Sequence, residues 1–298
     1  MAGFRKDFKS YKTNLIKGEK MKQNKHYKIE IETPIEHKQL NQNGYAIHYY
    51  ISGNKNNDLI IFLHPAFGDH RCFDKQIDFF SKSYRVITID MLGHGLSQVN
   101  KSKDKIDFSI KHIKTIIELE GHNSAHFVGV SMGSLIAQYF ALKYPNYVNS
   151  LTVLGGYNIN KENKEIQKAQ RLESFKWLLK IIFSMNSFRR YVASVTVINL
   201  EEQVRFYKMA SLFTRKSFIV MSGLGNIIKS RQNVKRECPL LILSGDKDLE
   251  LAIRMSKLWH HDESKSKFFI INNAGHCANM DNGINFNKVV AGFLSDIK

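Results

Sequence analysis

Short apolar runs rich in β-branched residues recur along the chain at Lys28–Glu32, Tyr45–Ser52, Leu59–His64, Arg85–Asp90, Ala125–Val130, Ser150–Leu154, Leu240–Ser244 and Lys267–Ile271. Several are continuous rather than alternating, as in Leu59-Ile60-Ile61-Phe62-Leu63 and Leu240-Leu241-Ile242-Leu243. A strand with one wet face alternates; a continuous apolar strand is buried on both faces, which implies a mostly parallel sheet under helices. Between these runs the period changes. Phe108 to Leu119 places apolar residues at three- and four-residue spacing and stops at Gly121, and Met132 to Tyr144 forms a second helix ended before Pro145. This alternation predicts an α/β fold: an open, doubly wound, mostly parallel central sheet.

One interval breaks the pattern. From Asn160 to Glu237 no strand is convincing, and helical stretches carry Phe175, Trp177, Phe183, Phe188, Tyr191, Phe206, Tyr207, Phe213 and Phe218. The expected organisation is a core of residues 28–159 and 238–298 with a helical cap, 160–237, inserted between the sixth and seventh strands. Ligands bind beyond the carboxyl ends of strands in such sheets, so an insertion there would roof the site. Residues 1–27 read as a basic arm, and Met21 is a second candidate start.

The sharpest chemical feature is Gly129-Val130-Ser131-Met132-Gly133, between the run Ala125–Val130 and the helix from Met132. A strand–turn–helix elbow this tight needs small residues two before and two after the serine, and it lifts the hydroxyl above the sheet. The following helix N-terminus offers unpaired amides to a developing oxyanion. The pentapeptide alone is weak; its placement strengthens it. A serine hydroxyl needs a base to take its proton. Of the 12 histidines, His276 stands in Asn273-Ala274-Gly275-His276, just after the last strand-like run. The base in turn needs a carboxylate to hold its tautomer. Asp246 and Asp248 both lie in Ser244-Gly245-Asp246-Lys247-Asp248, past the run Leu240–Leu243, and either could serve. Chain order Ser, Asp, His matches one known arrangement of hydrolase triads.

With these motifs in place, the chain resembles the α/β-hydrolase superfamily, in the capped branch of esterases, C–C hydrolases and lipases, over about residues 40–298. Four motifs carry the resemblance in order: His64-Pro65-Ala66-Phe67-Gly68, Asp90-Met91-Leu92-Gly93-His94-Gly95-Leu96-Ser97, the serine elbow, and the Gly-x-x-Asp and Gly-His pair. The resemblance implies Ser131 as nucleophile, His276 as base, Asp248 as acid with Asp246 the alternative, and an oxyanion hole from the amides of Ala66 and Met132. Pro65 departs from the usual glycine; it removes its own N–H and not that of Ala66. His64 and His94 are implied to shape loops. The implied activity is hydrolysis of a carboxylic ester with a small to medium acyl or aromatic group, needing no cofactor and no metal. Cleavage of a C–C bond or thioester in an anionic substrate is the alternative. In that case Lys176, Arg189, Arg190, Arg205 and Lys208 would be candidates for carboxylate recognition or, as the plainer reading has it, solvated surface. A third reading is ligand binding and signalling on the same fold with little turnover.

Composition changes this picture little. The net charge of +17 suits an acidic partner or a membrane surface, yet Lys, Asn and Ile are abundant throughout, which reads as coding bias. No nucleic-acid-binding signature concentrates the charge, so no nucleic-acid partner is expected; the expected partner is a small-molecule ester or acyl substrate. Gly93-His94-Gly95 is too short for a dinucleotide fingerprint. Cys72, Cys238 and Cys277 have no metal-ligand spacing, Cys277 reads as structural filler, and a reducing, cytoplasmic location fits them. The polar start lacks the apolar segment of a secretory signal.

Overall fold

Eight strands form one sheet in the order β1-β2-β4-β3-β5-β6-β7-β8. The computed structural model describes residues 34–99, 103–162, 164–229, 236–263 and 265–297, with only part of the side chains in the helix Lys164–Phe183. The basic arm 1–27 and the expected strand Lys28–Glu32 lie outside the described residues. The strands are β1 (Glu36–Gln42), β2 (Tyr45–Ser52), β3 (Leu59–Leu63), β4 (Arg85–Ile89), β5 (Ala125–Val130), β6 (Val148–Leu154), β7 (Leu240–Gly245) and β8 (Ser266–Ile271). β1 pairs with β2 and β2 with β4 antiparallel, and every later pair is parallel.

The continuous apolar runs sit where both faces are covered. All five residues of β3, all six of β5 and all six of β7 are buried. β1 was not foreseen: its sequence, Glu-His-Lys-Gln-Leu-Asn-Gln, is an edge strand that burial does not mark. Its polar edge is what keeps such a strand from pairing with other chains.

Three core helices follow the early strands: α1 (Asp74–Phe80), α2 (Ser109–Leu119) and α3 (Met132–Lys143). Five more occupy the interval between β6 and β7: α4 (Lys164–Phe183), α5 (Met185–Thr196), α6 (Leu200–Ala210), α7 (Arg215–Met221) and α8 (Leu224–Lys229). The last three are α9 (Glu250–Asp262), α10 (Ala278–Asp281) and α11 (Gly283–Ser295). No helix of the described residues is long and apolar enough to cross a membrane.

Three of the five inserted helices start at side-chain caps, which satisfy first-turn amides that the helix itself leaves unpaired. Ser184 accepts from the Ser187 amide before α5, Asn199 from Glu201 and Glu202 before α6, and Thr214 forms a reciprocal pair with Ser217 at α7. The insertion is clamped to the core. Arg205 of α6 donates to Asp74 at 2.7 Å and to Glu202 at 2.8 Å, and Lys75 meets Glu202 at 2.9 Å. Asp281 accepts the amides of Ile198 (3.0 Å) and Asn199 (2.9 Å) from the α5–α6 link.

Candidate active site

Ser131 joins β5 to α3 with φ 50° and ψ −114°, a conformation that L residues rarely hold. Its surroundings explain how it is held. A Cβ on Gly129 would lie 2.6 Å from Gly133 O and from the Ser134 backbone, and one on Gly133 would lie 2.0 Å from Leu63 O. Gly129 thus lets the start of α3 fold back onto β5, and Gly133 lets α3 press directly against the end of β3. Ser131 occupies the N-cap position of α3, where a serine normally caps, yet its side chain makes no cap hydrogen bond. The Ser131 carbonyl instead receives the Ser134 amide at 2.9 Å, so the hydroxyl stays uncommitted to the helix.

His276 follows β8 on a loop drawn close to the end of β6. Its Nδ1 lies 3.0 Å from both oxygens of Asp248. Asp248 is buried, its side chain 1% exposed, while the His276 side chain is 23% exposed. Burial works against protonation of His276, but the Asp248 charge and hydrogen bond outweigh it and hold its pKa above the ordinary histidine value. With Nδ1–H donating to the carboxylate, Nε2 is the basic nitrogen. The two halves of the site meet at one short segment: Leu154 O accepts the Ser131 amide at 2.8 Å, and a Cβ on the next residue, Gly155 (φ 63°), would lie 2.8 Å from His276 Cε1.

Asp246 is placed elsewhere. Its Oδ1 accepts the Ala274 amide at 2.9 Å, and that hydrogen bond holds its pKa below the usual carboxylate range. It shapes the loop leading to His276 without touching the ring. Gly245 allows this, since a Cβ there would meet the Ala274 and Gly275 carbonyls at 2.2 Å.

Met132 directly follows the serine, and Ala66 lies on the loop after β3. The Met132 amide is the first of α3, beyond reach of an intrahelical acceptor. Ala66 is held in the turn Pro65–Gly68, which the Gly68 amide closes onto Pro65 O at 3.2 Å. Among the described residues neither amide has an acceptor. Beneath this loop, buried His64 donates from Nδ1 to Pro65 O at 2.8 Å and accepts the Met91 amide on Nε2 at 3.0 Å. His94 is also buried, with Nδ1 on Leu92 O at 3.2 Å and Nε2 without a partner. Both are loop-shaping residues, as the resemblance implies.

Three features had escaped the sequence. Asp281, five residues past His276, also accepts the Gly275 amide at 2.9 Å, and the Cys277 amide donates to Thr196 O at 2.9 Å, so the histidine loop is tied to the α5–α6 link. The spacing of an acid after Gly-His was the only available signal. Phe67 has φ 68°, and its ring meets Trp177, Phe188, Phe213 and Phe218 of the insertion at 4.9–6.0 Å. A left-handed backbone costs a residue with a Cβ about 1–2 kcal/mol. Aromatic contacts at roughly 0.5–1.5 kcal/mol each offset that. Third, His70 Nδ1 bonds Asp90 at 2.8 Å beside Asp69, and these three are the one group of metal-ligand types among the described residues. All three are already engaged: Arg71 holds Asp69 at 2.5 Å, and Asp90 accepts the amides of His70 and Leu96, each at 2.9 Å. The set therefore reads as a hydrogen-bonded structural network and not as a metal centre.

The cations considered for anion recognition divide. Arg189 donates to Ala210 O and Phe213 O at 3.1 Å, and Arg205 is taken by Asp74 and Glu202, so neither is solvated surface nor free for a ligand. Arg190 and Lys208 are exposed, and the side chain of Lys176 lies outside those described. Cys72, Cys238 and Cys277 are free thiols, and burial pushes all three pKa values up, which suits packing rather than reactivity.

The chain has relatives among known proteins. The chain is 26% identical over 277 residues to an (E)-2-((N-methylformamido)methylene)succinate hydrolase of Acinetobacter baylyi, covering 86% of this chain and 96% of the relative. It is 23% identical to the bovine (Bos taurus) monoacylglycerol lipase ABHD6, covering 80% and 75%. A thermophilic esterase from Thermogutta terrifontis superposes with a TM-score of 0.70 at 17% identity over 88% of this chain and 99% of the other, a likeness of fold. The family profile described as alpha/beta hydrolase fold matches residues 58–217, more than half of the chain, and the protein is a hydrolase-fold member of that family.

Proposed function

We propose that this protein is a serine hydrolase that cleaves a carboxylic ester with a small to medium acyl or aromatic group. The observation that carries the reading is the Asp248–His276 pair, both carboxylate oxygens 3.0 Å from Nδ1, at the same segment that holds the Ser131 amide. In this reading His276 Nε2 takes the Ser131 proton as the serine oxygen bonds to the ester carbonyl carbon. The carbonyl electrons move onto oxygen, which the Ala66 and Met132 amides receive. The tetrahedral adduct collapses, the alcohol leaves with the proton from His276, and an acyl-serine remains. Water, deprotonated by His276, attacks that acyl group and releases the acid and Ser131. Asp248 stays ionised and stabilises the imidazolium in both halves.

Several features support an ester over its rivals. A serine opening an epoxide would form an ether, which lacks the carbonyl that a second attack by water requires; this speaks against epoxide chemistry although some relatives are named for it. The engagement of Arg189 and Arg205 within the protein favours a neutral substrate over the anionic one of a C–C hydrolase. The rings of Trp177, Phe188, Phe213 and Phe218 gather on the Ala66–Phe67 turn, which suits residues 160–237 as an apolar roof for the acyl group.

The test is a series of p-nitrophenyl esters, from acetyl to long acyl chains, with wild type beside Ser131→Ala. Turnover lost in the variant, with an optimum at short or medium chains, is the expected result. No turnover of any ester by wild type would reject the proposal in favour of C–C cleavage or ligand binding.

A further inference from the structure

We propose that Phe67 is a positioning residue through which the helical insertion sets the Ala66 amide for catalysis. This rests on the serine hydrolase reading above. In the turn Pro65-Ala66-Phe67-Gly68, closed by the Gly68 amide on Pro65 O at 3.2 Å, Phe67 occupies the third position with φ 68°. A turn with positive φ there ordinarily takes glycine or asparagine. A bulky residue persists in such a conformation only when its surroundings over-determine it. Here they do so from the insertion. Trp177 of α4, Phe188 of α5 and Phe213 after α6 stand edge-on to the Phe67 ring at 5.1, 5.1 and 4.9 Å, and Phe218 of α7 lies at 6.0 Å. Four separate parts of the insertion thus converge on one ring, which is 4% exposed.

The opposite side of the turn is fixed by the core. His64 holds Pro65 O and the Met91 amide, and its ring lies 5.0 Å from that of His94. His94 in turn lies 5.0 Å from Phe213. The turn is therefore clasped between a core histidine pair and an insertion aromatic cluster, and these two clamps touch. Ala66 lies between the two points of attachment. Loosening the ring frees the backbone to leave its strained well, and the Ala66 peptide turns with it. The chemical step then suffers, because oxyanion stabilisation depends on donors fixed before the reaction. Substrate binding would change little, since the ground-state carbonyl needs that amide less than the oxyanion does.

Three variants separate this from simple packing: Phe67→Gly, which accepts the backbone but removes the ring; Phe67→Leu, which keeps a side chain in the strained well; and Phe218→Leu, which leaves the turn untouched. With p-nitrophenyl butyrate, kcat is expected to fall about 10- to 100-fold in Phe67→Gly, with smaller losses of the same kind in the other two. KM should stay within about threefold. The rate at which a fluorophosphonate labels Ser131 should fall in the same order, because that reaction also builds charge on the oxyanion. An unchanged kcat, or a loss confined to KM, overturns the proposal and leaves Phe67 as a pocket wall. Should Phe67→Gly fail to fold, Phe218→Leu decides alone by the same two criteria. Absence of both turnover and Ser131 labelling in wild type rejects the hydrolase reading itself, and this proposal with it. Normal wild-type behaviour with unaffected variants rejects the positioning role alone.

Discussion

Asp246 and Asp248 stand two positions apart on one loop, yet their surroundings separate them. Both follow β7, and nothing in their spacing chooses between them. Asp248 lies against the His276 ring, whereas Asp246 is spent on the Ala274 amide. Asp248→Asn should therefore reduce kcat by about 10⁴-fold, as loss of a triad acid does, with little change in thermal midpoint. Asp246→Asn should act mainly on stability, and steady-state kinetics beside thermal melts of the two variants would separate these roles. The same geometry sets the pH profile. His276 must be neutral to act as a base, and Asp248 holds its pKa above the ordinary value. The acid limb of kcat/KM should therefore fall above the pH expected of a free histidine. In Asp248→Asn the limb should move to lower pH, because the stabilising negative charge is gone; a limb that stays put would separate Asp248 from the base. Phe67 shows the limit of residue-level reading: its partners at 177, 188, 213 and 218 are more than a hundred positions away and nothing local announces them.

At the scale of elements, legibility followed burial. Tyr45–Ser52 and Ala125–Val130 are strands with the expected ends, and β3, β4, β6, β7 and β8 differ from expectation by one or two residues at an end. Among them β3, β5 and β7 are buried throughout, and a run buried on both faces can hold little but apolar side chains. β1 went unseen because one face meets solvent and Leu40 is its single aliphatic residue. The serine elbow was legible for a related reason: a backbone approach as close as that of Gly133 to Leu63 O admits only glycine, so the packing is written into composition. Gly133→Ala should accordingly destabilise the fold by an amount at the upper end of about 1–3 kcal/mol, read by chemical denaturation. The link between insertion and histidine loop has no such signature. It consists of backbone amides, two from the α5–α6 link and one from Gly275, converging on Asp281. Asp281→Ala should cost about 1–3 kcal/mol, since amides left without a charged acceptor lose their partner. A melt indistinguishable from wild type would show that water replaces the carboxylate at no cost.

Across the whole molecule the buried histidines couple the fold to pH. Burial, with His64 beside it, lowers the pKa of His94 from 6.5 to about 3, and burial lowers that of His112 from 6.5 to about 4. The unfolded chain binds these protons below the ordinary value, and the folded chain refuses them until far lower pH. Their contribution to stability is therefore complete above pH 6.5 and is lost as the pH falls from there toward 4 and 3. Each histidine removes about 1.4 kcal/mol per pH unit within that window. Denaturation midpoints should drop between neutral and acid pH, and His112→Gln should flatten the slope; an equal slope in the variant would mean that His112 stays neutral in the unfolded chain as well. The nucleophile is tested by treating the protein with a fluorophosphonate and mapping the adduct by peptide mass spectrometry, with His276→Ala in parallel. One adduct is expected, on Ser131, and its formation should slow by orders of magnitude in His276→Ala. An adduct on another residue, or equal labelling without His276, would contradict this expectation.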